Sequence, residues 1–318
     1  MMRKICKNCG TPPSGGDLFC RRCGGSEFVV YDPPAGKGRS IGSFLIWLAV
    51  YFGVQTYVSV AFIVFSIREM HPTFEGTINY LVEVLEKKTV LISVVSSFLF
   101  IAVYLVVTAI RQGKRKKLGS VPARRLFRET GFRGAPAAVC LFSVVLGAAL
   151  NVVISFVVAV IPWPDFASDS FDQTYSVLSA DVTPLWLIIL AVAVCAPLCE
   201  ELLFRGIGCS RLTGSFPKAV AVIITSAVFG VVHGTPIAIA YATVFGVIQA
   251  FIFLRHRSLL PVVLCHFGFN FTSVFLEYLP ADPALNLGVL FICAAAALGT
   301  GYLILKKSET TGEKNESL

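Results

Sequence analysis

Three short segments of this sequence place carboxylates, imidazoles and an amide among otherwise apolar residues. If these segments lie in lipid, each charged group costs at least about 2.5 kcal/mol to insert and needs a chemical or structural reason. Together they supply a candidate base, two imidazoles and an amide donor, which could activate water against a carbonyl and stabilise the resulting oxyanion. The residues are Glu200, Glu201 and Arg205; Phe229 and His233; and His266 and Asn270.

The two adjacent glutamates are expected to have different roles. Neighbouring residues on a helix point about 100° apart, so Glu200 and Glu201 cannot share one face. Glu201 and Arg205 are four residues apart, in the favourable order of acid before base, and should form an internal ion pair. Glu200 is then left without a local cation, which makes it the candidate general base.

Taken alone, these residues leave three classes of function open. A hydrolase uses the whole set, whereas a transporter would use the carboxylates and imidazoles as a proton relay. The third class is a structural network that holds helices together at about 0.6 kcal/mol per hydrogen bond. In that case His233 is simply a satisfied polar group.

The first 39 residues carry a second motif, made of two CxxC pairs that are each followed by glycine. Four thiolates can complete a tetrahedral Zn²⁺ shell, and ten residues between the pairs suit a small zinc ribbon. Metal binding would supply most of the folding free energy of so short a segment. Two disulfides or an unmetallated remnant are the alternatives. The ligands are Cys6, Cys9, Cys20 and Cys23.

The elements that position these groups are predicted to be membrane helices. Of the 318 residues, 55% are hydrophobic and only 14% are charged, against roughly 25% charged in an average soluble domain. The apolar residues gather into runs long enough to cross a bilayer. We therefore predict an all-α polytopic membrane protein with about eight transmembrane helices after the ribbon, at 40–66, 90–110, 136–161, 184–204, 219–234, 237–254, 260–279 and 285–305.

The basic residues predict the orientation of these helices. Segment 111–134 contains nine Lys and Arg against the single acid Glu129, and such segments resist translocation. Segment 162–183 contains four aspartates and no Lys or Arg, as expected on the opposite side. Both ends of the sequence should therefore be cytoplasmic. Topology and anionic lipid explain the basic segment, so no nucleic acid is expected as a partner.

The ordered motifs resemble the CPBP family of intramembrane endopeptidases, the CAAX protease and bacteriocin-processing group also called Abi. Its pattern is EExxxR, FxxxH and HxxxN on successive core helices, and all seven positions match here. The resemblance implies a membrane protease acting on a membrane-associated, prenylated or leader-type peptide. It further implies that Glu200 activates water with help from His233, that His266 and Asn270 form the oxyanion site, and that Glu201 and Arg205 support the architecture.

Other mechanisms and functions stay open beside this one. Glu200, His233 and His266 also form a His₂Glu set, the composition of a catalytic zinc site. Cys199 or Cys265 could serve as a nucleophile. A catalytically silent scaffold or immunity factor of the same family, or a proton-coupled transporter, would not cleave peptides.

The sequence divides into four parts. We predict a zinc ribbon and linker at 1–39, two accessory helices with the basic loop at 40–134, a protease core at 135–305 and a polar tail at 306–318. The expected partners are lipids and a peptide substrate, and the ribbon either docks a protein or is a structural appendage. The expected location is a bacterial cytoplasmic membrane. One geometric demand follows: His233 can reach Glu200 only if the fifth helix is short or tilted, or if residues 206–218 form irregular backbone.

Overall fold

The computed structural model describes residues 3–9, 11, 18–31, 36–66, 74–117, 131–176, 183–276 and 283–307. Within these ranges the chain forms two short strands and nine helices, numbered here in chain order. They are β1 (Arg3–Cys6), β2 (Phe28–Tyr31), α1 (Lys37–Ser66), α2 (Phe74–Lys117), α3 (Ala137–Val160), α4 (Asp165–Ser176), α5 (Leu185–Leu212), α6 (Lys218–Val231), α7 (Pro236–His256), α8 (Leu259–Ser273) and α9 (Pro283–Lys307).

The predicted fold class is confirmed, because each of the eight predicted spans coincides with a helix. Among the described residues, six helices are long and apolar enough to cross a membrane, and these are α1, the Lys88–Gly113 part of α2, α3, α5, α7 and the Asn286–Lys306 part of α9. The apolar helices α6 and α8 have only 14 and 15 residues. The chain is therefore a multi-pass membrane protein.

The segment before α1 forms a small antiparallel hairpin. Strands β1 and β2 pair with Arg3 opposite Tyr31 and Cys6 opposite Phe28. Two strands of four residues cannot bury a core of their own, so further stabilisation of this hairpin must come from elsewhere.

One helix was not predicted, and one predicted boundary was wrong. Segment 162–183 contains the helix α4, whose Phe171 packs edge-on against Tyr241 of α7 at 6.5 Å between ring centroids. Helix α5 continues to Leu212 instead of ending near residue 204. Residues 118–130 of the basic segment and 308–318 of the tail lie outside the described residues.

The longer α5 reduces the difference in depth between Glu200 and His233. Glu200 lies 12 residues before the end of α5, roughly 18 Å, and His233 lies 15 residues after the start of α6, roughly 22 Å. The two levels thus differ by about one helical turn. The fifth predicted span is α6 in the structure, and it is short, as predicted. The alternative of irregular backbone at 206–218 was wrong for residues 206–212, because these are helical.

Close contact between α3 and α8 fixes the helix that carries His266. A methyl group at Gly147 would collide with the carbonyl of Cys265, and one at Gly268 would collide with the carbonyl of Val144. Small residues of this kind allow helix backbones in a membrane to approach closely.

The accessory helices α1 and α2 pack onto α5 through aromatic rings. Phe44 of α1 lies edge-on to Phe204 of α5, with ring centroids 6.0 Å apart. A Cβ added at Gly208 of α5 would collide with the Phe44 ring. Trp47 contacts Phe100 and Tyr104 of α2 at 6.2 and 5.2 Å between centroids. The two helices outside the motif region thus form one packed core with the helix that bears the glutamates.

Candidate active site

The two glutamates lie in a short α-helical stretch of α5 between two π-helical segments. The wider turns cover Ile189–Cys195 and Leu202–Cys209, and the glutamates end the α-helical stretch Ala196–Glu201. Pro197 has no N–H to contribute to the helical ladder, which favours altered hydrogen bonding here. Such π turns occur frequently at functional sites. No spacing rule applied to the sequence predicts them.

Glu201 is fully buried and carries two charge-assisted hydrogen bonds on one oxygen. Its Oε1 accepts from Arg205 Nη1 at 3.0 Å and from His266 Nδ1 at 2.7 Å. Arg205 is equally buried, donates from Nη2 to the carbonyl of Gly246 at 3.0 Å, and lies 4.5 Å from the centroid of the Phe229 ring. The ion pair predicted from the four-residue spacing is present, and it links α5, α7 and α8.

His266 lies between the two glutamates. Because Glu201 accepts from Nδ1, the ring is held with Nε2 toward Glu200, 3.8 Å from Glu200 Oε2. The Glu200 side chain is 18% exposed, whereas that of Glu201 is 0% exposed. Of the two carboxylates, Glu200 is therefore the one that a small reactant can reach.

Phe229 connects the two imidazoles. Its ring centroid lies 4.7 Å from that of His233 and 6.0 Å from that of His266. His233 Nδ1 lies 2.7 Å from the carbonyl of Phe229, which can only accept, so Nδ1 carries the proton. In the neutral ring Nε2 is then an acceptor. His233 is half-buried and follows the end of α6.

Asn270 lies one turn after His266 on α8 and is half-buried. Its Nδ2 donates to the carbonyl of Val192, in the first π-helical segment of α5, at 2.8 Å. An amide nitrogen has two donor hydrogens, so this contact leaves a second one for another acceptor. The amide thus ties α8 to α5 near the glutamates.

Two aromatic residues beside the site were missed in the sequence. Phe245 of α7 packs edge-on against His266, with centroids 5.2 Å apart. Tyr51 of α1 is close enough to Glu200 to interact with it electrostatically, and its side chain also forms a hydrogen bond with Gln55. Neither residue belongs to a motif, and only the packing of separate helices brings them here.

The cysteines near the site are deeply buried. Cys199 donates to the carbonyl of Ser97 at 3.5 Å, and Cys199 and Cys265 are both 0% exposed. A nucleophile must be reached by the substrate carbonyl. These two thiols therefore fit packing rather than attack.

The four N-terminal cysteines form a candidate metal centre. Their sulfur atoms all lie within 4.8 Å of one another, and all four thiols are free. Cys6 and Cys20 also hold the two turns through backbone hydrogen bonds, to Thr11 and Gly25. Side-chain and backbone hydrogen bonds with Thr11 hold the pKa of the Cys9 thiol at about 6, below its ordinary value, and so favour the thiolate that a metal requires.

A His₂Glu metal site is not assembled in this geometry. Among the described residues, only the four cysteines bring three or more possible ligand atoms within 4.8 Å of one another. Glu200, His233 and His266 would have to move closer together to bind one ion.

Comparison with known proteins bears on this same region. Residues 182–272 match the family described as type II CAAX prenyl endopeptidase Rce1-like. No curated protein and no solved structure matches the chain. The match is narrower than the expected range of 135–305, yet it contains every motif residue from Glu200 to Asn270. The part of the chain that holds the candidate site is therefore similar to the Rce1-like family, which is a family of proteases.

Proposed function

We propose that this protein is an intramembrane endopeptidase that hydrolyses a peptide bond of a membrane-associated substrate with water activated by Glu200. One observation carries the proposal: Glu201 holds His266 so that its free nitrogen faces Glu200, the more accessible of the two carboxylates. A buried ion pair alone would not need an imidazole aimed at a second carboxylate.

In the proposed reaction Glu200 removes a proton from water as the oxygen attacks the carbonyl carbon of the scissile bond. The carbonyl electrons move to oxygen and give a tetrahedral oxyanion. When the intermediate collapses, the C–N bond breaks and the protonated Glu200 gives its proton to the leaving amine. The products are one new carboxyl group and one new amine.

The two imidazoles have separate tasks in this mechanism. His233, with its proton on Nδ1, presents an acceptor nitrogen that can hold the attacking water. His266 donates to the oxyanion when both of its nitrogens carry protons, because Nδ1 remains bonded to Glu201. The buried Glu201 carboxylate stabilises the positive charge that His266 then carries.

Asn270 completes the oxyanion site with the hydrogen not used by Val192. An amide already fixed by one hydrogen bond loses little freedom when it makes a second. Such preorganised donors account for a large share of the rate enhancement in acyl transfer.

The family match and the site's place in a helical bundle support a proposal for the substrate class. We propose a prenylated or leader-type peptide that reaches Glu200 from the lipid or from the membrane surface. We also propose that the ribbon binds Zn²⁺, that both ends of the sequence are cytoplasmic, and that the membrane is a bacterial cytoplasmic one.

Product analysis in ¹⁸O-labelled water tests the reaction type. Purified protein in liposomes is given a prenylated CAAX peptide or a membrane-anchored leader peptide, with an amino-acid amide present as a competing nucleophile. Direct attack by water puts ¹⁸O into the new carboxyl group and gives no peptide joined to the added amine. Transfer to the amine would reveal a covalent acyl-enzyme and contradict the proposal.

A further inference from the structure

A groove between α1 and α2 lies outside the matched family region. It forms a cavity of about 370 Å³ whose lining includes Arg39, Ser43 and Trp47 from α1 and Val103 and Arg111 from α2. The remaining lining residues are apolar or glycine. Ligand sites of this size are common in proteins and are typically apolar with a few convergent polar groups.

The polar groups of this groove gather at one end. Arg39 is near the start of α1 and Arg111 is near the end of α2, and both are exposed. From Arg39 the α1 side of the groove runs to Val50, eleven residues or roughly 16 Å along the helix. The groove therefore has a cationic mouth and an apolar body.

A third arginine strengthens the positive charge at the mouth. Arg211, at the end of α5, donates from Nη1 to Ser43 Oγ at 2.6 Å, and Ser43 lines the groove. Arg111 also opens the basic segment 111–134, whose Lys and Arg excess marks the cytoplasmic side. The lipid leaflet on that side is rich in anionic headgroups.

We propose that this groove binds an anionic phospholipid, with the headgroup phosphate between Arg39 and Arg111 and one acyl chain along Trp47 and Val103. Guanidinium groups match phosphate oxygens in charge and geometry. An acyl chain would also contact the apolar residues of the lining. A free phosphate or another soluble anion would leave these residues without a contact.

The bound lipid would steady the accessory helices against the catalytic helix. Trp47 packs on Phe100 and Tyr104, and its neighbour Phe44 packs on Phe204 of α5. An acyl chain along Trp47 thus extends the contact between α1 and α2 close to the helix that carries Glu200.

Native mass spectrometry of the detergent-purified full chain tests this proposal with phosphatidylglycerol and phosphatidylcholine of equal chain length. We expect the wild type to retain phosphatidylglycerol preferentially. The double variant Arg39→Ala/Arg111→Ala should lose this preference by at least about tenfold, since each basic residue near a charged leaflet adds appreciable attraction. A matched control, Lys218→Ala/Lys306→Ala, removes two exposed charges elsewhere and should retain it.

A second variant separates a lipid from a bound headgroup alone. Gly42 lines the groove and an added Cβ there would meet nothing within 4 Å, so Gly42→Leu should occupy part of the groove and leave both arginines in place. It should weaken phosphatidylglycerol binding while the melting temperature is unchanged or higher. Unchanged binding in Gly42→Leu, equal loss in the lysine control, or no preference in the wild type would each overturn the proposal.

Discussion

Glu200 and Glu201 are neighbours in sequence, yet their surroundings give them opposite properties. Glu201 is enclosed and bonded to a guanidinium and an imidazole, whereas Glu200 is partly exposed and faces the other nitrogen of the same imidazole. Removing the negative charge from Glu200 should therefore lower catalysis alone, whereas removing it from Glu201 should also lower folding stability.

Glu200→Gln is expected to lower peptide cleavage by at least about a hundredfold, because a neutral amide cannot accept the proton of water. The helical circular dichroism and the melting temperature should stay near those of the wild type. Cleavage assays on detergent-purified protein, with thermal unfolding measured in parallel, check both expectations.

Glu201→Gln is the matched variant one residue away. It leaves Arg205 buried without its counter-charge, and breaking a buried pair in this way costs about 3–5 kcal/mol. A large fall in melting temperature is expected. A Glu201→Gln variant as stable as Glu200→Gln would contradict the structural role assigned here.

The buried thiols give a third expectation at the residue scale. Cys199→Ala and Cys265→Ala should each retain cleavage within a few-fold of the wild type, because neither sulfur is exposed to substrate. The same peptide assay checks this. Loss of cleavage by a well-folded Cys199→Ala variant would instead favour a cysteine nucleophile.

At this scale the sequence predicted one of the two contacts of Glu201 and missed the other. The four-residue spacing was enough to predict the pair of Glu201 and Arg205. It could not predict that His266, 65 residues away, shares the same carboxylate oxygen. Contacts between helices depend on their rotation and depth, which local spacing does not specify.

At the scale of the elements, the site depends on how closely α3 approaches α8. Gly147 and Gly268 let the two backbones touch, and α8 carries both His266 and Asn270. A small separation of these helices would move both donors relative to Glu200. Misplacement by about 1 Å can cost on the order of a hundredfold in rate.

Gly147→Ala is therefore expected to lower the melting temperature and reduce cleavage by at least about tenfold. The matched control is Gly299→Ala in α9, where an added methyl group meets nothing within 4 Å. Alanine favours the helix there, so stability should be unchanged or slightly higher. Thermal unfolding and the peptide assay of both variants check this pair, and equal effects would contradict the role of the close contact.

The elements themselves were largely predictable, since long apolar runs predict helices without any tertiary information. The end of α5 was missed because Arg205 and Gly206 resemble a membrane boundary in sequence. In the structure Arg205 is buried and satisfied by Glu201 and Gly246, so the helix continues through it. The π turns and α4 were also missed, because hydrophobic runs do not predict either feature.

At the scale of the whole molecule, a four-cysteine ribbon that could hold a metal is joined to a membrane core whose proposed chemistry needs no metal. The four cysteine sulfurs lie close together at one end of the chain, while Glu200, His233 and His266 do not form such a group. Metal content and cleavage should therefore vary independently of each other.

Replacing Cys6 and Cys9 with Ser should remove about one equivalent of zinc per chain, because two ligands cannot hold the ion as four do. Cleavage should persist in the folded membrane core. Atomic emission on the purified protein, together with the peptide assay, checks both. Less than half an equivalent of zinc in the wild type would contradict the ribbon assignment.

The most direct test of the glutamate mechanism is peptide cleavage by the wild type, Glu200→Gln and His266→Ala, each assayed with and without a metal chelator. The account predicts that cleavage is lost in both variants although thermal unfolding shows them folded, and that the wild type remains active in chelator. Cleavage that survives Glu200→Gln, or that disappears in chelator, would contradict it.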